Sequence, residues 1–348
     1  RRGRGGRRGR RGRGGRGGKG RTPASATRRS RRRSSQGFGL KEEEGLKART
    51  TQSKSPTQSK SPTLTPGALI AAAAAARGVD ENRDEGVPSF VCNALDFVLV
   101  LGGDGTVLWT CHIFGGQGMP PLVAFHLGSL GFLTPFPPSR IEHVIGHVVQ
   151  GGFPIMLRHR LFCTIERNPK NCDGTLESMK DHTINHAACT KSWVVLNEVV
   201  VDRGISPFLT NLECYSDGEF VTQVQGDGLI IATPTGSTAY SLAAGGCMVH
   251  PQVPSILFTP ICPHSLSFRP LIFPDHVQLR VVVPPGSRAQ MYASFDGKDR
   301  QQLFPGDAVV MRMSISPVPM VCGGAGASGD WFRGVREGLH WNLRRQQA

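Results

Sequence analysis

Residues Val98-Leu99-Val100-Leu101 run directly into Gly102-Gly103-Asp104-Gly105-Thr106, and this junction restricts the folds open to the chain more than any other stretch. Four apolar residues in a row read as a strand buried on both faces, the mark of a parallel sheet covered by helices. Three glycines then turn the chain, and helix-compatible residues follow from Val107 to Cys111. A strand that breaks into a glycine turn ahead of a helix offers N–H groups to an anion, and glycine lets the anion approach without a Cβ in the way. No lysine follows at P-loop spacing, so G-x-x-x-x-G-K-[ST] is excluded. Asp104 is out of keeping with a bare phosphate cradle: a carboxylate there repels phosphate unless it activates a nucleophile or holds a metal. The plainer alternative is a helix N-cap.

The chain continues as one βαβ unit. Pro121–Phe125 reads as the next parallel strand and leads into a second glycine loop, His126-Leu127-Gly128-Ser129-Leu130-Gly131-Phe132. Residues 139–150 read as a helix, with Ser139 as N-cap and Ile141, Val144, Ile145 and Val148 on one face. After Gly151 the period shortens to two, which argues for antiparallel β structure. The expected strands are Ile155–Glu166, Trp193–Val201, Asn211–Tyr215, Phe220–Val224, Val277–Val283, Met291–Phe295, Gln301–Phe304 and Ala308–Ile315. Asp217-Gly218 and Asp296-Gly297 are hairpin signals. The fold class expected is therefore a Rossmann-like parallel α/β domain followed by a β-sandwich domain. Its boundaries are a tail over 1–66, α/β over 67–150, β-sandwich over 151–322 and a terminal helix over 323–348.

Charge matters here mainly for what it excludes. The net charge is +15, yet residues 1–40 hold fifteen Arg, one Lys and no acid. The basicity belongs to an Arg/Gly/Ser tail, and the remainder is near neutral. Weak, salt-dependent binding of RNA or of acidic surfaces is expected of the tail only. Residues 41–66 hold a direct repeat, T-Q-S-K-S-P twice, and read as linker. Residues 67–78 read as a short helix and 79–88 as a charged loop. The longest apolar run, Ala68–Ala76, is about half of the ~20 residues a membrane span needs. Nine scattered cysteines without C-x-x-C spacing fit free thiols in a reducing compartment, so the expected location is cytoplasmic. No metal site is expected; Cys262-Pro263-His264 lacks a second pair.

Three further stretches carry chemistry. Asn197-Glu198 sits inside an apolar strand, where polar residues are costly unless they face a site or find partners. Gly226-Asp227-Gly228-Leu229-Ile230-Ile231-Ala232 is a strand that opens into Thr233-Pro234-Thr235-Gly236-Ser237-Thr238-Ala239-Tyr240. This loop is rich in hydroxyls and leads into a small-residue helix, Ala239–Gly246. Its N–H groups, Ser237 and Thr238 are placed to hold phosphate or ribose oxygens, and Tyr240 to cover a base or sugar. Pro260–Pro270 is a proline-stiffened segment in which Arg269 is a candidate partner for a phosphate or a carboxylate.

Taken together, G-G-D-G-T, H-L-G-S-L-G-F-L-T-P-F, the N-E pair and G-D-G-L-I-I-A-T-P-T-G-S-T-A-Y resemble the ATP–NAD kinase family, over about 70% of the chain from Phe97 onward. The resemblance implies transfer of the γ-phosphoryl of ATP to the 2′-hydroxyl of the adenosine ribose of NAD. Asp104 then corresponds to the general base, and Gly103, Gly105 and Thr106 to the phosphate turn. Asn197 and Glu198 correspond to ribose or adenine contacts and Asp227 to an NAD contact. Thr235, Ser237, Thr238, Ala239, Tyr240 and Ser241 line the nucleotide site, and Phe132 packs on the nucleotide. The cofactor implied is Mg²⁺, or another divalent cation, carried on ATP. A homo-oligomer is implied, and the β-sandwich is the NAD-binding half. One departure stands out: no strand of the V-L-V-I type precedes G-G-D-G between Lys41 and Ser89, where the family has a further βαβ segment. Two alternatives stay open, a catalytically impaired isoform that binds NAD or NADP and a lipid or sphingosine kinase that shares the G-G-D-G turn.

Overall fold

In the computed structural model the described residues are 87, 89–169, 191–288, 290–324 and 327–343. The tail, the repeat, the expected helix over 67–78, the stretch without a V-L-V-I strand up to residue 86 and most of the insert 167–190 lie outside them. The first described elements are α1 (Ser89–Ala94), β1 (Val98–Gly102), α2 (Asp104–Phe114) and β2 (Leu122–His126). β1 and β2 are parallel in the register Val98↔Leu122 to Gly102↔His126. β2 is buried on both faces, as a central parallel strand must be. Leu122 and Ala124 face α2 through Val107, Cys111 and Phe114. Val123 and Phe125 face α3 (Ile141–Gln150) through Val144 and Val148.

The sheet is completed from far along the chain. β16 (Val318–Val321) lies between β2 and β3 (Ile155–Arg158), giving the order β1-β2-β16-β3. Met320 pairs parallel with Leu122, and β3 runs antiparallel to β16. The division between α/β and β structure is therefore not one cut at residue 150: β3 and β16, both within 151–322, belong to the first sheet.

The remaining strands form two six-stranded antiparallel sheets around one core. One sheet contains β4 (Leu161–Glu166), β5 (Ser192–Val195), β7 (Thr210–Ser216), β8 (Glu219–Gly226), β12 (Leu279–Val282) and β15 (Ala308–Met313), in the order β5-β4-β15-β12-β7-β8. The other contains β6 (Glu198–Asp202), β9 (Gly228–Ala232), β10 (Ser255–Ile261), β11 (Leu271–Pro274), β13 (Met291–Phe295) and β14 (Lys298–Leu303), in the order β11-β10-β9-β6-β13-β14. Leu161, Cys163, Leu212, Val281 and Met311 meet Val199, Ile231, Phe258 and Met291 in the shared core. Trp193 stacks on Phe295 with ring centroids 4.0 Å apart. Both hairpin signals turn as read: Asp217 and Gly218 lie at φ 49° and 87°, Asp296 and Gly297 at 49° and 74°.

Several expected elements are corrected. Ile155–Glu166 is two strands in different sheets, β3 and β4, parted at His159-Arg160. The buried positions shift phase at the bend, from Met156 and Arg158 in β3 to Leu161, Cys163 and Ile165 in β4, and this slip marks the change of sheet that a single strand reading passes over. Trp193–Val201 is likewise split into β5 and β6 at Leu196-Asn197. Ser139 does not cap α3; it lies in a 3₁₀ turn (Pro138–Arg140), and Arg140 occupies the cap position without a side-chain bond. The helix expected over 239–246 is a 3₁₀ turn (Thr235–Thr238) and a short α4 (Tyr240–Ala243). The terminal helix is α5 (Ala327–Arg333) followed by a π turn (Gly334–Gly338).

Candidate active site

Asp104 opens α2, and its carboxylate folds over the second glycine loop rather than capping its own helix. Phe132 N–H donates to Oδ2 at 2.9 Å, and Leu133 N–H to Oδ1 at 3.0 Å. The Thr134 hydroxyl donates to Oδ1 at 3.2 Å. Two donors thus fill Oδ1, while Oδ2 accepts one and keeps a lone pair. The approach explains Gly131: any Cβ there would collide with Asp104 Oδ1. Gly103 and Gly105 flank the carboxylate on the open side, with nothing within 4 Å of a built Cβ. Thr106 sits below them, its N–H bonded to Gly103 O at 3.0 Å.

Asn197-Glu198 occupies the break between β5 and β6. The Asp296 carboxylate accepts N–H bonds from Leu196 (2.7 Å), Asn197 (2.8 Å) and Glu198 (3.0 Å). From the other side the T-P-T-G loop folds onto the pair. Thr233 N–H donates to Asn197 O at 2.8 Å, and the Thr233 hydroxyl donates to Leu196 O at 2.6 Å. A Cβ at Gly236 would strike Asn197 O, so the loop is pressed against the pair by a residue that has none. The Glu198 carboxyl is buried, and its Oε2 has no hydrogen-bond partner. Burial, and then the charge of Asp296, raises its pKa to about 8.

The hydroxyls of the loop divide into two groups. Ser237 Oγ donates to Val249 O and accepts Val249 N–H, and Ser241 Oγ bonds Thr259 Oγ1 at 2.9 Å. Both are fully buried and serve the loop's own shape. Thr235 is bonded by Arg158, and Thr238 donates to Thr235 O at 3.3 Å. Ala239 is half-buried at the turn into α4. Tyr240 is exposed; burial first, then the charges of Asp202, Cys262, Asp227 and Glu198, hold its phenol above the ordinary value. Tyr240 therefore overlooks the acidic side of the site. Asp227, between β8 and β9, is paired with Arg203 Nε at 2.7 Å. Phe132 is half-buried, and its ring lies against Gly334 of the C-terminal turn.

Arg158 was not anticipated. It ends β3 with 5% exposure, donates from Nη2 to Phe132 O at 3.2 Å and from Nη1 to Thr235 Oγ1 at 3.4 Å, and leaves Nε unpartnered. Burial lowers its pKa to about 10, while the charges of Cys322, Asp104 and Asp330 act in the opposite direction. Arg158 thereby joins the loop that grips Asp104 to the loop that grips Asn197, and makes one site of the two halves. The only sequence signal was a charge on the inward phase of I-M-L-R. Arg269, by contrast, donates to Leu266 O and Phe268 O of its own loop. Among the described residues no three His, Cys, Asp or Glu side chains gather as metal ligands.

Comparison with known proteins places this arrangement. The pattern of the ATP-NAD kinase N-terminal domain matches residues 34–153, and that of the ATP-NAD kinase C-terminal domain matches 196–322. The chain belongs to the ATP-NAD kinase family. Among its relatives, the rice "Probable NAD kinase 1" is 55% identical over 254 residues, covering 73% of this chain and 45% of that protein. The chain spans about half the length of the first curated relatives it matches. A crystal structure of yeast NADH kinase complexed with NADH superposes with a TM-score of 0.66 at 37% identity, over 77% of this chain and 74% of that one. An NAD kinase from Archaeoglobus fulgidus in complex with ATP shares the fold, with a TM-score of 0.56 at 21% identity over 78% and 93% of the two chains. The N-terminal family pattern begins at residue 34 and so runs across 41–89, where the sequence offers no V-L-V-I strand.

Proposed function

We propose that the chain is an ATP-dependent NAD kinase, converting NAD and ATP to NADP and ADP. The observation that supports this reading is the link from Asp104 through Phe132 and Arg158 to the Thr233–Gly236 loop and the Asn197-Glu198 pair, which joins the residue read as the general base to the pair read as acceptor contacts. Support also comes from yeast NADH kinase, whose crystal structure holds NADH.

In this reading Asp104 Oδ2 accepts the proton of the ribose 2′-hydroxyl as its oxygen attacks the γ-phosphorus of ATP. The bond from that phosphorus to the β,γ-bridging oxygen breaks, and ADP leaves in line. Gly103, Gly105 and Thr106 hold the phosphates. Mg²⁺, or another divalent cation, arrives as part of the ATP substrate and spreads the charge of the transferring group. Asn197, Glu198 and Asp227 hold the acceptor, Thr238, Ala239 and Tyr240 form its wall with Ser241 bracing them from behind through Thr259, and Phe132 supplies an apolar face. The same reading includes a homo-oligomer, since β11 is an edge strand with Leu271 and Ile272 exposed. It also includes the cytoplasm, where the seven free cysteines of the described residues would stay reduced.

The test is NADP formation from Mg-ATP and NAD, followed with an NADP-specific dehydrogenase, beside an Asp104→Asn control. The control should bind both nucleotides and turn over about 10²–10⁴-fold more slowly. Wild-type rates in the control would remove Asp104 from its role. Phosphorylation of sphingosine or diacylglycerol with NAD inert would replace the acceptor, and NAD binding without turnover would leave a non-catalytic binder.

A further inference from the structure

Asp296 does more than turn a hairpin. A two-residue turn with both φ values positive is served as well by Asn-Gly, so the turn does not call for a carboxylate. The carboxylate nevertheless takes three consecutive N–H groups of Leu196, Asn197 and Glu198, about a hundred residues away, and the N–H of Asp296 donates to Glu198 O at 3.0 Å. The N–H groups of Leu196 and Asn197 lie between β5 and β6, and that of Glu198 at the first residue of β6, so the Asp296 carboxylate serves donors at a strand break. We propose that Asp296 is a positioning residue for the acceptor nucleotide: its carboxylate fixes the backbone of Leu196–Glu198 and with it the direction in which Asn197 and Glu198 face the cleft. This rests on the reading of Asn197 and Glu198 as acceptor contacts.

The surroundings match that task. Glu198 on β6, His112 and Cys111 on α2, Arg160 between β3 and β4, and Cys163 on β4 are the titratable or charged groups that sense Asp296. Burial raises the pKa of Asp296, and the three N–H bonds and His112 work against that rise. Its charge is in turn one of the two causes that hold Glu198 protonated toward about pH 8, the other being burial. Asp296 therefore holds the backbone of the pair and adds to the effect of burial on the Glu198 carboxyl.

The experiment is Asp296→Asn, which keeps the side-chain shape and suits the positive φ but points an amide N–H₂ at backbone donors. The affinity for NAD should fall about tenfold or more, in line with losing bonds to a charged acceptor, while the affinity for Mg-ATP and kcat at saturating NAD hold. The pH dependence of NAD binding should also move to lower pH, because Glu198 loses its charged neighbour. A folded variant that binds NAD as the wild type does overturns the proposal, and so does an equal loss of kcat and of both affinities. A wild type that binds no NAD overturns the acceptor reading, and the proposal with it. If the variant does not fold, the wild type carries the test. Acid titration of Asp296, followed by the amide signals of Leu196, Asn197 and Glu198, should weaken NAD binding along the same curve; NAD affinity that stays flat across it overturns the proposal.

Discussion

Glu198 holds a buried carboxyl with one oxygen unpartnered, and its titration has a definite sign. Its pKa is about 8 in the folded chain against 4.5 ordinarily. Between those values the folded protein keeps a proton that the unfolded chain has released. Stability contributed at Glu198 is therefore present at acid pH and is lost as pH rises toward about 8. Glu198→Gln removes the titration. Thermal melts should show its stability gain over wild type to be small near pH 5 and to grow to a few kcal/mol by about pH 9. A constant gap at all pH values would mean that Glu198 does not carry the proton. At this scale Asn197 and Glu198 were legible as candidates because a polar residue inside an apolar run has few structural uses, and Asp104 because a carboxylate is out of keeping with a glycine turn that offers N–H groups. Arg158 and Asp296 were not. One ends a strand and the other opens a turn, and either role alone explains its residue type. Their second roles depend on groups brought together only by folding, such as the N–H of Leu196 a hundred positions from Asp296.

Between elements, the joint of the two architectures is Arg160. It is fully buried and donates to Ser316 O at 2.6 Å, Gly115 O at 2.7 Å and Gln117 O at 2.9 Å. One guanidinium thus ties the bend between β3 and β4 to the loop after α2 and to the link between β15 and β16. Arg160→Met would leave three carbonyls unpaired, at a loss of about 3 kcal/mol or more. Denaturant unfolding should show that loss. The bend is also where reading the sequence failed. Met156 and Arg158 are buried in β3, and Leu161 and Cys163 are buried one phase later in another sheet, so the period marks burial but does not name the partner strand. β10 was missed because Pro260 sits inside it and Pro argues against a strand; the first hairpins and the βαβ unit were read correctly because Gly-Asp-Gly and Asp-Gly fix local geometry without distant partners.

For the whole molecule the deciding feature is β16, placed between β2 and β3. Val318, Met320 and Val321 are buried there and contribute roughly 5 kcal/mol together. A chain ended after Met313 should keep its β-sandwich strands by circular dichroism but lose the cooperative melt of the first sheet, and with it nucleotide binding. Retained binding would mean that β2 and β3 manage without their shared neighbour. The same placement bears on biogenesis. A ribosome makes β2 about 190 residues before the strand that closes it, so through much of synthesis β2 carries an open edge while the sandwich is being built. Closing such a distant pairing is slow, and an open edge is prone to aggregation meanwhile. Emergence of β16, rather than of the Asp104 turn, is therefore the moment at which the first sheet can close, and a holding chaperone would act on the interval before it.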